Sequence, residues 1–468
     1  MRTVLDGLGL LLAVGLAGVL NAADETAPSD NAAAGGKPYV LGTQNLPIPK
    51  LPIPERGKPF EDPTFGTRIT RITDPADGWG KTYRRHSYSC YSPLNADGTL
   101  TTCQENQWHL YDVRACKHLK KLEGPKGDAG APRWDFREPN VFYFCQGTAL
   151  KKFDLKIDAV TVVHDFQKDF PDMKWLCMKA YAEPSADSRY WPLHIMLDPN
   201  DEDGRTIALA VYDKQEDRIV GKMPRDNNKK KTTIRVTPSG QRVIVGIGTV
   251  AERPATSVTS YKPDFTGPVE LCGVMGHSDL ALDTEGREVV VYPNDKTDYI
   301  CMQDVLTGKE TPLLSAIHDS SWEERKACGV DSIHISGNCY ATPGWVAVPI
   351  EGFKKDKDCW NSRVIYLLKL EAKADPKKPV IWRVAHTHCV KIEGPGAYWV
   401  TNHATIDRYG RTLIFASNWD DPKAPIEDYR CDLPEGWYEK LMGAEKATEV
   451  RAKAARTLGI SVEELVGK

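Results

Sequence analysis

From about residue 85 onward, short stretches with apolar residues at a period of two run into a turn containing Gly or Pro and then into a second apolar stretch. The units are residues 91–102 (YSPLNADGTLTT), 133–144 (RWDFREPNVFYF), 234–245 (IRVTPSGQRVIV), 280–291 (LALDTEGREVVV) and 405–415 (TIDRYGRTLIF), with weaker copies at 183–195 and 334–348. Segments such as 108–122 and 207–222 read as further strand pairs between them. Seven units give about 49 residues each, close to the ~40–50 of a four-stranded blade. One small twisted sheet cannot bury both its faces, whereas a ring of such sheets packs face to face and leaves only short edges. The pattern therefore predicts an all-β, seven-bladed β-propeller over residues 61–437. A β-helix would repeat more tightly, and two sandwiches would not give seven similar units. Helical composition, rich in Ala, Glu, Lys and Leu, appears only over 438–468, which predicts a short helical tail packed outside the propeller or projecting from it.

The N-terminus adds an address. Arg2 precedes an apolar run over 8–20, and small residues at Asn21, Ala22 and Ala23 follow. The run is shorter than the ~20 residues of a membrane-spanning helix and has the order of a secretory signal. A signal peptide (1–22), a flexible Ala/Gly/Pro-rich linker (23–60), a secreted or periplasmic location and no stable membrane span after cleavage are expected. With Lys+Arg 61 against Asp+Glu 64 and a net charge of −3, the chain offers no basic field, so no nucleic-acid partner is expected. Twelve cysteines in an exported chain permit disulfides. Cys90 and Cys103 flank the turn Asn95-Ala96-Asp97-Gly98 and are expected to bridge neighbouring strands. The sequence has no CxxC, HExxH or GxSxG, and Gly80-Lys81-Thr82 has Pro75 where a phosphate loop needs Gly.

In a propeller the innermost strands line a central funnel. His277, His403 and His334 stand nine, seven and ten residues before Gly286, Gly410 and Gly344, and His86 stands twelve before Gly98, so four blades are expected to bring imidazoles to one mouth. Such a set can exchange protons or bind a divalent metal (Zn, Mn or Ca), with His277, His334 and His403 as ligands. His386 and His388 form a second, less specific pair. The densest polar cluster, Tyr83-Arg84-Arg85-His86-Ser87-Tyr88-Ser89, puts Arg84, His86 and Tyr88 on one face if it is a strand. Elimination on an acidic sugar uses these groups: a cation offsets the carboxylate, an imidazole or phenolate takes the carbon-bound proton, and a phenol or imidazolium protonates the leaving oxygen. Arg235, on a middle inner strand, and Tyr261 are further catalytic candidates. Trp79 and Trp108, with Trp399 and Trp419, are candidates for sugar binding.

Residues 67–100 (TRITRITDPADGWGKTYRRHSYSCYSPLNADGTL) resemble the opening of the secreted seven-bladed polysaccharide lyases that include ulvan lyases and, more distantly, oligogalacturonate lyases. Residues 402–410 (NHATIDRYG), followed by Phe415-Ala416-Ser417-Asn418-Trp419, are similar to a late blade of the same enzymes. The resemblance implies β-elimination on a polysaccharide or oligosaccharide containing uronic acid, with His86 catalytic, His109 the second histidine of an ulvan-type site and His403 a metal position. The chain departs from the oligogalacturonate lyase pattern at Thr401, where that pattern has a histidine. A non-catalytic propeller that binds a glycan or protein on its funnel face is the alternative, and a hydrolase would need paired carboxylates in the funnel.

Overall fold

The strand–turn–strand units rest on one local device. Asn95, Asp135, Ser185, Thr237, Asp283 and Asp407 each end an inner strand, and each backbone N–H donates to the carbonyl of the residue that starts the next strand at 2.9–3.0 Å. The side chain then accepts from the returning backbone, as in Leu100 N–H to Asn95 (2.9 Å), Tyr190 N–H to Ser185 (2.9 Å), Arg242 N–H to Thr237 (3.2 Å) and Thr412 N–H to Asp407 (3.0 Å). Short oxygen-bearing side chains copy a backbone acceptor in this way, which is why Asn, Asp, Ser and Thr recur there.

These turns build seven sheets, one per predicted unit and antiparallel except where Tyr83–Arg84 joins Ile426–Asp432 in parallel, in the computed structural model of the chain. It describes residues 39–126, 130–178, 181–198, 206–225, 230–249, 257–271, 276–294, 296–315, 330–352, 359–392 and 397–467. The expected signal peptide lies outside these residues. Blades 1 to 7 follow chain order, with inner strands at Leu94, Arg133–Trp134, Trp175–Cys177, Lys230–Val236, Asp279–Leu282, Val330–Ile333 and Thr405–Ile406. The ring is closed by both ends of the chain. Arg68–Arg71 pairs with Ile426–Asp432 in blade 7, and Phe60–Glu61 adds outside it. Val40–Leu41 adds to Ile381–His386 at the edge of blade 6, so part of the segment expected to be a flexible linker is hydrogen-bonded to a blade. Apolar side chains from facing blades fill the spaces between them, with Trp345, Ile365, Trp382, Phe415 and Tyr429 in the largest cluster.

The C-terminal helices α1 (Trp437–Met442), α2 (Ala444–Leu458) and α3 (Val462–Val466) do not project. They lie across the inner turns. Ala454, Ala455 and Leu465 pack on Phe136, Leu282 and Ala341 from blades 2, 5 and 6. The Trp437 indole donates to Gly410 O (2.7 Å), Tyr438 to Pro343 O (2.8 Å) and Thr457 to Gly286 O (2.6 Å). Gly286 is required twice over, since its φ is +69° and a Cβ there would come within 2.7 Å of the Lys453 backbone. The helices thus cover the turn end of the channel and leave its other mouth for chemistry. Among the described residues no helix is long and apolar enough to cross a membrane.

The expected Cys90–Cys103 bridge does not form: both are buried free thiols, and Cys103 faces Asp428 at 3.3 Å. Leu94 pairs with Thr101, but the chain turns at Tyr88–Tyr91 before Cys90 can come opposite Cys103. Gln104 bridges Arg85 instead.

Candidate functional site

Counted back from the turn residues, inner-strand positions form tiers around the axis. Two residues before the turn stand Arg133, Glu183, Arg235, Ala281 and Thr405; four before it stand Tyr91, Tyr181, Asp279 and His403. In blade 6, Ser336 is level with Thr405 (Oγ–Oγ1 3.2 Å), so His334 is level with His403. His277 stands two residues above Asp279.

The rings meet at the uncovered mouth. His277 stacks on His334 at 4.2 Å between centroids, and His334 meets His403 edge to face at 4.5 Å. Tyr88 lies 4.4 Å from His403, 5.2 Å from His334 and 5.3 Å from Tyr181. Its hydroxyl is 3.4 Å from that of Tyr181, which accepts the His277 backbone N–H at 3.1 Å. Arg235 lies beneath, its guanidinium 4.5 Å from the Tyr181 ring centre. Its Nη2 donates to the Ser278 carbonyl at 3.0 Å, while Nε and Nη1 have no hydrogen-bond acceptor among the described residues. Tyr88, Tyr181 and His277 are half-buried; His334, His403 and Arg235 are buried below them. By exposure, and not by register, the site therefore has an upper tier that a ligand can touch (Tyr88, Tyr181 and His277) and a lower tier that supports it (His334, His403 and Arg235).

Three residues of the site hold left-handed backbone: φ is +74° at Tyr181, +57° at His277 and +39° at His403. Each such non-glycine residue costs about 1–3 kcal/mol and persists where the surroundings over-determine it. At His403 the surroundings are visible. His86, buried at 2% exposure, joins Nδ1 to Asp428 (2.7 Å) and Nε2 to the His403 carbonyl (2.9 Å). Arg85 donates to the Thr401 carbonyl, and the Thr401 hydroxyl meets His403 Nε2 at 2.9 Å. Burial, then the nearby Arg85, pushes the His334 imidazole down to about 3 and holds His403 well below the ordinary range, so both are neutral at neutral pH.

Of the residues singled out from sequence, Tyr88, Arg235, His277, His334 and His403 converge; the others do not. The strand at Tyr83–Arg84 ends at Arg84, so the expected common face of Arg84, His86 and Tyr88 is broken where the chain crosses from blade 7 to blade 1. Arg84 is 1% exposed and bonded to Glu105 (2.6 Å) and Tyr111 (3.1 Å), with Trp79 over its guanidinium at 5.5 Å. His86 sits behind the His403 backbone. His109 pairs with His118 at 3.1 Å on the blade 1 sheet, and Trp108 beside it is core. Tyr261 is on the third strand of blade 4, against Phe265. His386 and His388 lie by Asp62 and Asp420, off the funnel. Tyr181 was missed. Its signal was four-residue spacing from Ser185, which counting from turn glycines hides because blade 3 has none.

The imidazole donors suit manganese or zinc, whereas calcium takes oxygen ligands. The arrangement does not suit an ion. Two rings are stacked, His403 Nε2 is engaged by Thr401, and among the described residues no three His, Cys, Asp or Glu side chains are placed to share one.

No protein-family model matches the chain, and no curated protein matches it in sequence. Its fold is similar to that of oligogalacturonate lyase from Vibrio parahaemolyticus, with a TM-score of 0.52 and 12% identity over 81% of this chain and 97% of that one. It is also similar to an oligogalacturonate lyase in complex with manganese, with a TM-score of 0.54 and 14% identity over 85% of this chain and 99% of that one. What the chain has in common with these lyases is the seven-bladed propeller itself.

Proposed function

We propose that the uncovered mouth binds an acidic oligosaccharide or polysaccharide and cleaves it at a uronic acid by β-elimination. The observation that carries this reading is the upper tier: a phenol (Tyr88), a second phenol (Tyr181) and an imidazole (His277) from three blades around a buried guanidinium, on a fold similar to that of oligogalacturonate lyases.

The His277 imidazole takes the proton from the carbon that bears the uronate carboxylate. The carbon–carbon double bond forms as the adjacent C–O bond breaks, and the Tyr88 phenol gives its proton to the departing oxygen. Arg235, beneath the Tyr181 ring and 4.0 Å from Asp279, offsets the charge that the carboxylate gains as the proton leaves. His334 and His403, held neutral, support the upper tier without competing for the carboxylate. No step is routed through a metal. The resemblance of residues 67–100 to ulvan-type lyases and the apolar run at 8–20 support an exported enzyme acting on a uronate-containing glycan.

The test is a screen of acidic glycans for the ultraviolet absorbance of the unsaturated uronate product, with reducing-end assays in parallel. New reducing ends without that absorbance would mean hydrolysis, and binding without either would mean a non-catalytic glycan module.

A further inference from the structure

A propeller leaves one sheet edge per blade at its rim, and an edge strand offers unpaired backbone N–H and C=O groups to any strand that approaches, unless it is short, covered, or carries lysine or proline. Six blades blunt this edge. Phe60–Glu61 and Val40–Leu41 add outside blades 7 and 6. The outer strand of blade 1 (Lys117–Lys121) carries Lys117, Lys120 and Lys121, that of blade 3 (Arg218–Pro224) carries Arg218, Lys222 and Pro224, and that of blade 5 (Glu310–Ser315) carries Glu310 and Pro312. In blade 4 the outer strand, Val269–Leu271, is only 3 residues long. Blade 2 differs. Its outer strand, Ala159–Asp165, is 7 residues long, reads AVTVVHD with no lysine, arginine or proline, and pairs with Ala149–Asp154 alone. The bulge at Val163 does not set it apart, since the outer strands of blades 1, 3 and 5 have one too.

The side chains are as open as the backbone. Val160, Thr161 and Val162 are all exposed. Lys120 of blade 1 pairs with Asp158, which brings Leu119 and Ile157 to the same stretch of rim. Leu119, Ile157, Val160 and Val162 are four of the seven large apolar side chains exposed among the described residues; the others, Ile53, Leu306 and Val380, belong to the N-terminal segment, blade 5 and blade 6. Single exposed apolar residues are ordinary, whereas a group of them along an open edge marks a contact surface.

The register of the strand selects its partner. Laid antiparallel against a copy of itself about Thr161, the strand sets Val160 opposite Val162 on both sides of the axis, Ala159 opposite Val163 and Thr161 opposite Thr161. Cross-strand pairs of β-branched residues stabilise neighbouring strands. Asp158 of each copy then faces His164 of the other, so no charged residue meets its own kind. Moving the axis to Val162 would set Lys156 against Lys168 and Val160 against His164, and moving it to Val160 would set Val162 against Asp158.

We propose that the rim of blade 2 is an interface between two copies of this chain, paired antiparallel about Thr161 so that two four-stranded sheets become one. The contact is isologous, the same strand on both sides of a two-fold axis. Resting on one strand and a strip of apolar side chains, it lies at the small end of protein interfaces, below about 1,200 Å², and assembly therefore depends on concentration. The funnel takes no part in it, so neither the proposal nor its test depends on the cleavage reaction.

Sedimentation velocity on the full chain over a series of concentrations tests this. A monomer–dimer equilibrium is expected. Val162→Lys, which places on this edge the residue that blunts blade 1, is expected to leave monomer only, whereas Leu306→Lys on blade 5 leaves the equilibrium unchanged; both side chains are open, so Tm should not move in either. Thr161→Cys gives a second reading, because that residue meets itself at the axis and the free thiols of the described residues are buried. A short thiol-specific cross-linker is expected to join Thr161→Cys into covalent dimers and to leave Leu306→Cys monomeric. A monomer at every concentration, a dimer retained in Val162→Lys, open-ended assembly in place of dimers, or no cross-linking of Thr161→Cys would each overturn the proposal.

Discussion

His334 and His403 hold the same place in adjacent blades: each stands two residues before a hydroxyl residue, Ser336 and Thr405, whose oxygens are 3.2 Å apart, and their rings meet edge to face at 4.5 Å. Residues 69 positions apart in sequence become neighbours because the blade repeats. The same register sets Tyr181 and Asp279 on that tier, so the mouth of the channel is built one side chain per blade.

Tyr88→Phe removes the proposed acid and leaves the ring. A fall in kcat of about 10²–10⁴-fold is expected, the usual worth of a positioned proton donor, with His277→Ala falling comparably. His334→Ala, one tier below, is expected to fall less. Full turnover by Tyr88→Phe on a glycan that the wild type cleaves would remove the phenol from the reaction.

His86 acts through His403, so His86→Ala and Asp428→Asn should each lower kcat by about 10–100-fold, the range seen when partners that orient metal-ligating histidines are lost, with KM little changed. The two belong to one chain of bonds and should not be additive in the double variant. Additive losses would separate them.

Glu183 is paired with Arg133 at 3.3 Å in the channel. Burial pushes its carboxyl up to about 8 against the pull of Arg133, with Asp279 adding to the rise. Between the ordinary glutamate value and about 8, the folded chain keeps a proton that the unfolded chain releases. Its contribution to stability is therefore complete below the ordinary value and is lost as pH rises through that window. Tm should fall from pH about 5 to about 8, and Glu183→Gln should flatten the slope; an unaltered slope would assign the pH dependence elsewhere.

The Thr401 hydroxyl occupies His403 Nε2. Thr401→Ala frees that nitrogen and should create manganese affinity measurable by calorimetry that the wild type lacks, and adding His334→Ala should abolish it. If neither change moves the affinity, any ion that binds does so away from these rings.

Trp437 fills the space between Trp345 (5.7 Å) and Trp382 (5.2 Å) and ties α1 to the blade 7 turn. Trp437→Ala should cost about 3–5 kcal/mol, the range for emptying a buried aromatic site, and denaturant melts would show it as a lower midpoint. A change under about 1 kcal/mol would mean that the helices are not part of the cooperative unit.

The sequence by itself determined the repeat. All seven units were legible because a polar turn residue followed by alternating apolar positions is a local instruction, met by hydrogen bonds within a few residues, and closure into a ring follows from the need to bury two faces of each sheet. It also brought His277, His334 and His403 beside the inner strands Asp279–Leu282, Val330–Ile333 and Thr405–Ile406, since spacing from a turn is local too. What only tertiary structure decided is where a side chain points once the strand ends. Arg84, His86 and Tyr88 read as one face, yet the chain leaves the sheet between blades, and the three go to Glu105, Asp428 and the funnel. Cys90 and Cys103 were separated by the same crossing. The tail read as a helix packed outside the propeller or projecting from it, because composition gives the helix but not what it packs against; the ring of inner turns that receives it exists only after all seven blades have closed.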